Sequence, residues 1–415
     1  MSLRKTLAWV LWPFTISYAI VVSIRNILFE LGVLKQTIPP VTTVGVGNLV
    51  VGGSGKTPMT DYLLGLFGDS YNTAFVSRGY KRKSRGCVVI EADASHQTCE
   101  TRQSVVADFG DETAMLLSKH PRVSATVCKK RNEAINRLLS LDNPPQLVIL
   151  DDVYQHRYVK PTINILLTEY GRLYSDDHIL PFGDLREPRA ESRRANVIVV
   201  TKSPKKINRL EKHMIASRLK AQSYQKMFFS YIDYGEPQPL LDAQPVELSD
   251  VRYILCVTGI ANPSPLLDEL RRRNKKVVHM PFSDHHDFNR RDIQEIRRRF
   301  EAIEGSSKII LTTEKDAIRL RELLKPGKAV TKQNLYAETV SPESQDSMGS
   351  GELSESPHTL TAASSVALPI YVLPMSIRFH DENGYSFTDY ITSIVKENIS
   401  FMSRLHTHHH AKPTI

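Results

Sequence analysis

The sequence predicts an α/β protein, built on a doubly wound, mostly parallel sheet with a second, smaller α/β domain and an N-terminal membrane-associated helix. Three observations carry this. From Val41 to about Val200 short apolar segments alternate with helical patterns, as expected for parallel strands joined by crossover helices. A glycine-rich run, Gly52-Gly53-Ser54-Gly55-Lys56-Thr57, lies between an apolar segment and a helix-like one. The stretch from Thr6 to Ile24 contains no charged residue.

Taken in order, residues 1–37 form the hydrophobic N-terminal element. Arg4 and Lys5 precede the uncharged stretch and Arg25 closes it. As a helix, Thr6 to Ile24 spans about 28 Å, near the thickness of a hydrocarbon core. A cleaved signal peptide fits less well, because the apolar part is long and no small-x-small cleavage site follows. Pro13, Thr15, Ser17 and Ser23 argue against a clean transmembrane span. A helix lying in the inner leaflet, with Trp9, Trp12, Phe14 and Tyr18 at the interface, fits better.

Residues 38–215 form the first α/β domain. Thr42–Val50, Thr73–Ser77, Cys87–Ile90, Gln146–Leu150, Ile163–Leu167 and Asn196–Val200 read as strands. Pro58–Phe67, Met115–Ser118 and Asn132–Ser140 read as helices. In such sheets ligands bind beyond the carboxyl ends of the strands. A basic helical connector, Lys205–Lys220, leads into a smaller α/β domain over 216–400. Its strands are Arg252–Val257, Lys276–His279, Lys308–Thr312 and Leu368–Leu373. Its helices are Pro265–Arg273, Asp292–Phe300 and Ser386–Ser400. Glu338–Ser364, rich in Ser, Glu and Gly, reads as a disordered insertion, and 401–415 as a solvated His-rich tail.

The composition is that of a globular chain of 415 residues, 41% hydrophobic and 24% charged. Its net charge of +9 favours an anionic partner: nucleic acid, membrane surface or phosphorylated substrate. The cysteines at 87, 99, 128 and 256 form no C-x-x-C pair, so they are expected to be reduced thiols rather than a disulfide framework or zinc site.

The glycine run carries the chemistry. Glycines allow successive backbone N–H groups to converge on an anion, and the following helix adds the positive end of its dipole. Lys56 would reach the outer phosphates, and the Thr57 hydroxyl would ligate Mg²⁺. The strict G-x-x-x-x-G-K-[ST] spacing is not met, since Val50 stands where the first glycine would be. The G-G-x-G-K-T variant remains, so the expected fold is of P-loop NTPase type and the expected ligand a nucleoside triphosphate. The run Gln146–Leu150 ends in Asp151-Asp152, followed by Gln155-His156. Carboxylates at a strand end beside a phosphate loop suit Mg²⁺ coordination. Gly110-Asp111-Glu112 opens a helix, where Asp111 is equally readable as an N-cap or as a functional carboxylate. Leu185-Arg186-Glu187-Pro188 offers a cation and a carboxylate in a Pro-bounded loop, and Asp284-His285-His286 follows a strand of the second domain. Arg78, Lys81, Arg82, Lys83 and Arg85 form a basic cluster suited to a lipid headgroup or substrate phosphate.

Together these motifs resemble the tetraacyldisaccharide 4'-kinase family. The matching pieces are Val46-Gly47-Asn48, the glycine run with Pro58, Ser77-Arg78-Gly79-Tyr80, Gly110-Asp111-Glu112, Asp151–Arg157, Leu180-Pro181 with Gly183, and Leu185–Pro188. Asp284-His285-His286 and Thr313-Glu314-Lys315-Asp316 complete the match, in order from Val41 to Asp316. The resemblance implies two α/β domains joined by a hinge, and ATP-dependent phosphorylation of the 4'-hydroxyl of the tetraacyldisaccharide 1-phosphate precursor in lipid A (lipopolysaccharide) biosynthesis. It implies a monomer at the cytoplasmic face of the bacterial inner membrane, peripheral or singly anchored, with no nucleic-acid partner. It makes Asp111 the base, paired with His285, and Lys56 catalytic. ATP would be bound by Gly52, Gly53, Ser54, Gly55, Lys56, Thr57, Gln155, His156 and Arg186. Mg²⁺ would be held by Thr57, Asp151, Asp152 and Glu187.

One departure concerns the family's Asp-Asp-Gly loop. Val153 replaces its glycine, which requires a negative φ there. Competing readings are weaker. Partitioning-type ATPases carry a Lys where this chain has Val51. A GTPase would need an [NT]-K-x-D guanine reader, which Thr201-Lys202-Ser203-Pro204 and Thr313-Glu314-Lys315-Asp316 both miss. A non-catalytic ATP-binding regulator would not require Asp111, Asp151, Asp152 and His285 together.

Overall fold

The computed structural model describes residues 8–79, 82, 84–92, 109–241, 243–324, 368–381 and 386–410. The predicted insertion Glu338–Ser364, Arg4 and Lys5, and Lys81 and Lys83 of the basic cluster lie outside them. The chain divides into a larger unit, Met1–Gly235 with Pro374–Ile415, and a smaller one, Glu236–Leu373.

The larger unit begins with helix α1 (Ala8–Glu30), followed by β1 (Thr42–Asn48), α2 (Lys56–Phe67), β2 (Thr73–Ser77) and β3 (Val88–Ile90). Next come α3 (Asp111–Lys119), β4 (Ser124–Val127), α4 (Arg131–Leu139), β5 (Leu147–Leu150) and β6 (Ile163–Glu169). Then follow β7 (Val197–Thr201), α5 (Arg209–Leu219) and β8 (Lys226–Tyr234). The strands form one sheet in the order β14-β8-β7-β6-β1-β5-β2-β4-β3, where β14 (Met375–Phe379) arrives only after the smaller unit. The pairings from β4 across to β8 are parallel, and the outermost pairs β3–β4 and β14–β8 are antiparallel.

Central strands of such a sheet are covered on both faces and read as continuous apolar runs. Strand β5 is the case in point: Leu147 and Ile149 join one core and Val148 and Leu150 another. Helices α2, α3 and α9 (Phe387–His410) cover the first face through Leu63, Phe67, Leu116, Phe387, Ile391 and Val395. On the second face α4 contributes Ala134, Ile135 and Leu138, and α5 contributes Ile215 and Leu219. The larger unit is therefore doubly wound, as predicted.

The smaller unit is a five-stranded sheet in the order β11-β10-β12-β13-β9. Its strands are β9 (Gln238–Pro239), β10 (Tyr253–Thr258), β11 (Lys276–Pro281), β12 (Lys308–Thr313) and β13 (Ile370–Leu373). All pairings are parallel except the short β13–β9 edge. Helices α6 (Ser264–Arg272), α7 (Arg290–Glu301) and α8 (Glu314–Leu324) complete it. Helix α7 starts at Arg290, two residues before the predicted Asp292, because Asn289 and Asp292 form a reciprocal capping box.

Three expectations change. The unit boundary falls at Gly235 and Pro374 rather than at 215 and 400, because β8 extends the large sheet and β14 returns to pair with it. The outgoing and returning chain are tied together by the Gly235 N–H donating to the Pro374 carbonyl at 3.0 Å. Cys87 and Cys128 are not separate thiols but a disulfide, while Cys256 is free and buried. They are 41 residues apart, so no local spacing announces the pair. Finally, α9 runs to His410, so most of the 401–415 segment continues a helix, with Phe401 and residues 403–405 exposed to solvent.

Candidate active site

Strand β1 ends at Asn48, and the chain is then clamped before it turns. Val51 N donates to Asp184 O at 2.8 Å and Arg186 N to Leu49 O at 2.8 Å, fixing segment 49–51 against 184–186. Gly52 and Gly55 follow with φ of 108° and 89°, a region that side chains with a Cβ rarely adopt. Thr201 at the end of β7 donates its hydroxyl to Ser54 O at 2.9 Å, pinning the turn to the sheet. The Ser54 hydroxyl itself is buried without a hydrogen-bond partner, an arrangement that a bound oxyanion would complete.

Around this turn the structure brings together four of the predicted residues. Lys56, the first residue of α2, places Nζ 3.3 Å from Asn48 Oδ1 and 3.5 Å from Asp152 Oδ1. Arg186 Nη1 lies 3.2 Å from Asp152 Oδ2 and donates to Gln155 Oε1 at 3.3 Å. Gln155 Nε2 closes the ring on the Asn48 carbonyl at 2.7 Å. Asp152 takes a φ of 44° and Val153 is not among the positive-φ residues, so the reversal sits on the aspartate. The sequence's requirement at 153 is met.

The two carboxylates behave differently. Burial pushes the Asp151 pKa up to about 6, helped by the charges of Asp152 and Glu112 and opposed by Lys56 and Arg131. Burial would raise Asp152 too, but Lys56 and Arg186 outweigh it and hold that carboxyl below its ordinary value. Thr60 of α2 donates to Asp151 Oδ1 at 3.4 Å. Asp111 occupies the first position of α3, after Gly110 at φ 84°, where the helix dipole favours a negative charge. The neighbouring Glu112 is one of the charges that raise the Asp151 pKa.

Other predicted residues are placed differently. His156 accepts at Nε2 from the Arg131 N–H at 3.3 Å, at the start of α4, and burial followed by Arg131 and Arg78 lowers its pKa to about 4. It is a neutral ring serving the backbone. Glu187 is fully buried, with Oε1 2.5 Å from Arg25 of α1 and Oε2 bonded to Arg194. Both of its oxygens are already engaged by cations. Sequence reasoning gave no role to Asn48, Thr60, Arg25, Arg194 or Arg131. Arg131, buried at 2% exposure, donates to the carbonyls of Cys128 (2.7 Å) and Asp151 (3.0 Å) and so holds the end of β5 in place. Nothing in the run Lys129-Lys130-Arg131 distinguishes it from its solvated neighbours.

Helix α1 docks through its polar side chains. Tyr18 donates to Arg186 O at 3.0 Å and Thr15 accepts from Phe182 N at 3.2 Å, while the Asn26 backbone carbonyl accepts from the Arg157 side chain at 3.1 Å. Val22 and Phe29 are buried, but most of its large apolar residues point outward: Trp9 is 92% exposed, and Trp12, Phe14, Ile16, Ile20, Val21, Ile24 and Ile27 are exposed as well. Among the described helices it is long and apolar enough to cross a membrane. A cleft of about 430 Å³ opens beside it, lined by Trp12, Thr15, Ile16 and Ala19 of the helix and by His178, Leu185 and Arg189 opposite.

In the smaller unit, His285 has a φ of 59° and donates its backbone N–H to Gly259 O at 3.0 Å. Its ring meets Arg319 and Lys315 of α8. His286 is instead bonded to Asp292 at 2.9 Å, against the start of α7.

Comparison with known proteins follows the same lines. A family model described as tetraacyldisaccharide-1-P 4'-kinase matches residues 7–348. The chain is similar to the tetraacyldisaccharide 4'-kinase of Bacteroides thetaiotaomicron, with 42% identity over 322 residues, 75% of this chain and 82% of that one. It is 39% identical to that of Flavobacterium johnsoniae over 318 residues, 75% of this chain and 87% of the relative. The structure resembles a crystal structure of LpxK from Aquifex aeolicus in complex with ATP. The TM-score is 0.63 and the identity 25%, over 97% of this chain and 99% of that one.

Proposed function

The chain belongs to the tetraacyldisaccharide-1-phosphate 4'-kinase family, and from that premise we propose that it transfers the γ-phosphate of ATP to the 4'-hydroxyl of the tetraacyldisaccharide 1-phosphate precursor of lipid A. The observation that carries the reading is the ring Lys56–Asp152–Arg186–Gln155–Asn48 beside the glycine turn. Lys56 and Arg186 supply fixed positive charge where phosphoryl oxygens gain negative charge, and they do so without reorganising. Ser54, with its unpartnered hydroxyl, and the N–H groups of Gly53 and of Gly55 to Thr57 cradle the phosphates.

Thr57, Asp151 and Asp152 would hold Mg²⁺, which would neutralise charge on the phosphate chain. The raised pKa of Asp151 supports the fit, because a buried carboxylate crowded by Asp152 and Glu112 is relieved by a cation. Glu187 joins this set only by giving up Arg25 or Arg194. Asp111 takes the proton of the 4'-hydroxyl as that oxygen bonds to the γ-phosphorus and the bond to the ADP oxygen breaks. His285 is its partner, as the family resemblance implies. Helix α1, bonded to the protein through Thr15 and Tyr18 and with most of its large apolar side chains outward, supports attachment to the cytoplasmic face of the inner membrane. The cleft beside it suits an amphiphile, apolar on the helix side with Arg189 and His178 opposite.

The test uses purified protein in detergent, Mg²⁺, [γ-³²P]ATP and the disaccharide 1-phosphate lipid. Wild type labels the lipid. Asp111→Ala binds ATP within a few-fold of wild type but turns over about 10²–10⁴-fold more slowly. A wild-type protein that binds ATP and labels no lipid refutes the assignment.

A further inference from the structure

We infer that Arg319 is a positioning residue that fixes the tautomer of His285, leaving Nδ1 bare and the proton on Nε2. The inference deepens the proposed reading of His285 as partner of the catalytic carboxylate and rests on it for its functional consequence, but not for its geometry.

The ring nitrogens of His285 face two cations. Arg319 Nη2 lies 3.0 Å from Nδ1, and Lys315 Nζ lies 3.4 Å from Nε2. Guanidinium and ammonium groups only donate hydrogen bonds, and a neutral imidazole has one acceptor nitrogen. One of the two contacts must therefore go unsatisfied, and the fixed one prevails. Arg319 is held at two points, because its Nη1 also donates to the His286 carbonyl at 3.2 Å, so the planar fork is set across residues 285 and 286. The backbone beneath it is equally constrained: His285 sits at φ 59° with its N–H on Gly259 O. The Gly259 N–H in turn donates to buried Asp316 at 3.0 Å, which Thr313 also holds. Lys315 sits on a flexible stem at the longer distance and can turn away.

With Nδ1 occupied as acceptor, Nε2 carries hydrogen and the ring presents a donor. The adjacent Asp284 carboxylate is 3.9 Å from Nε2, beyond hydrogen-bond distance. A doubly protonated ring would deprive Arg319 of its acceptor. In this state His285 orients a carboxylate by donating to it and is not itself the base at Nε2, which leaves proton acceptance to Asp111. The same logic distinguishes the adjacent histidines, since His286 is already committed to Asp292 at the capping box of α7.

The test joins spectroscopy to kinetics on the full chain in detergent. In ¹⁵N-histidine-labelled protein, with the His285 signals assigned by their loss in His285→Gln, Nε2 should be protonated and Nδ1 bare. Arg319→Met should shift the ring toward the Nδ1–H form and lower kcat by about 10–100-fold, taking the range for lost partners that orient metal-bound imidazoles, with KM for ATP within about 2-fold. Arg319→Lys, which still donates, should restore kcat to within about 3-fold of wild type. His285→Gln keeps an N–H at the end of the side chain regardless of residue 319, so Arg319→Met on that background should cost less than about 2-fold more. An Nδ1–H ring in wild type, or an Arg319→Met protein unchanged in both spectrum and kcat, overturns the inference. Failure of wild type to label lipid alongside a protonated Nε2 would refute the kinase reading and leave the tautomer assignment standing.

Discussion

Asp151→Asn separates what the site costs the fold from what it gives to ligand binding. The Asp151 pKa moves from 3.8 to about 6 in the folded protein. Because the native state binds this proton more tightly than the unfolded chain, stability falls as pH rises from about 4 through 6 and levels off above. That rise corresponds to about 3 kcal/mol of penalty at pH 7.5, or on the order of 10²-fold in an opening equilibrium. At pH 5 most of the carboxyl is already protonated in the native state, and the same relation leaves on the order of 10-fold. Asparagine removes the charge and keeps an acceptor for the Thr60 hydroxyl. Without Mg²⁺ or nucleotide, the variant should therefore protect the amides of β1 and β5 against hydrogen exchange more than wild type does, by these factors, with the gap widening about tenfold between pH 5 and 7.5. Adding Mg²⁺ and ATP should stabilise wild type more and reverse the order, since the variant lacks one Mg²⁺-holding carboxylate and gains less binding free energy. Equal or lower protection in the variant at pH 7.5, or a gap independent of pH, would refute the account of Asp151 as a destabilised carboxylate awaiting a cation.

Three further outcomes follow from the same geometry. Lys56→Ala should lower nucleotide affinity and turnover together, by about 10²-fold or more in kcat/KM, and steady-state kinetics at normal activity would remove the turn from the phosphate site. Gly47→Ala should destabilise the larger unit by about 2–4 kcal/mol, because its Cβ would lie 2.5 Å from the Tyr154 Cβ and 2.9 Å from its backbone N; a urea midpoint unchanged from wild type would contradict this packing. Deleting residues 1–34 should release the protein from anionic vesicles in a sedimentation assay, and continued pelleting would sink the assignment of α1 as the membrane element.

Much of the fold was legible in the sequence because its signals are local. The strands of the large sheet are short apolar runs, α7 starts at a capping box, and the glycine turn has the residue types that its positive φ values demand. The elements that were missed depend on distant partners. β8 and β14 pair across the whole smaller unit, and the Cys87–Cys128 bridge joins residues whose neighbourhood carries no motif.

The same division runs through the site. The sequence by itself determined which chemistry is available: a glycine turn with Lys and Thr, paired aspartates at a strand end, an outward-facing apolar helix. Only the tertiary structure decided how those groups are used. It set Lys56 and Arg186 on Asp152 while Asp151 stayed protonatable, gave both Glu187 oxygens to arginines, and turned His156 to the backbone of α4. The reason is physical: residue types are fixed one position at a time. Protonation states and ligand roles depend on burial and on charges brought together by segments far apart in the chain.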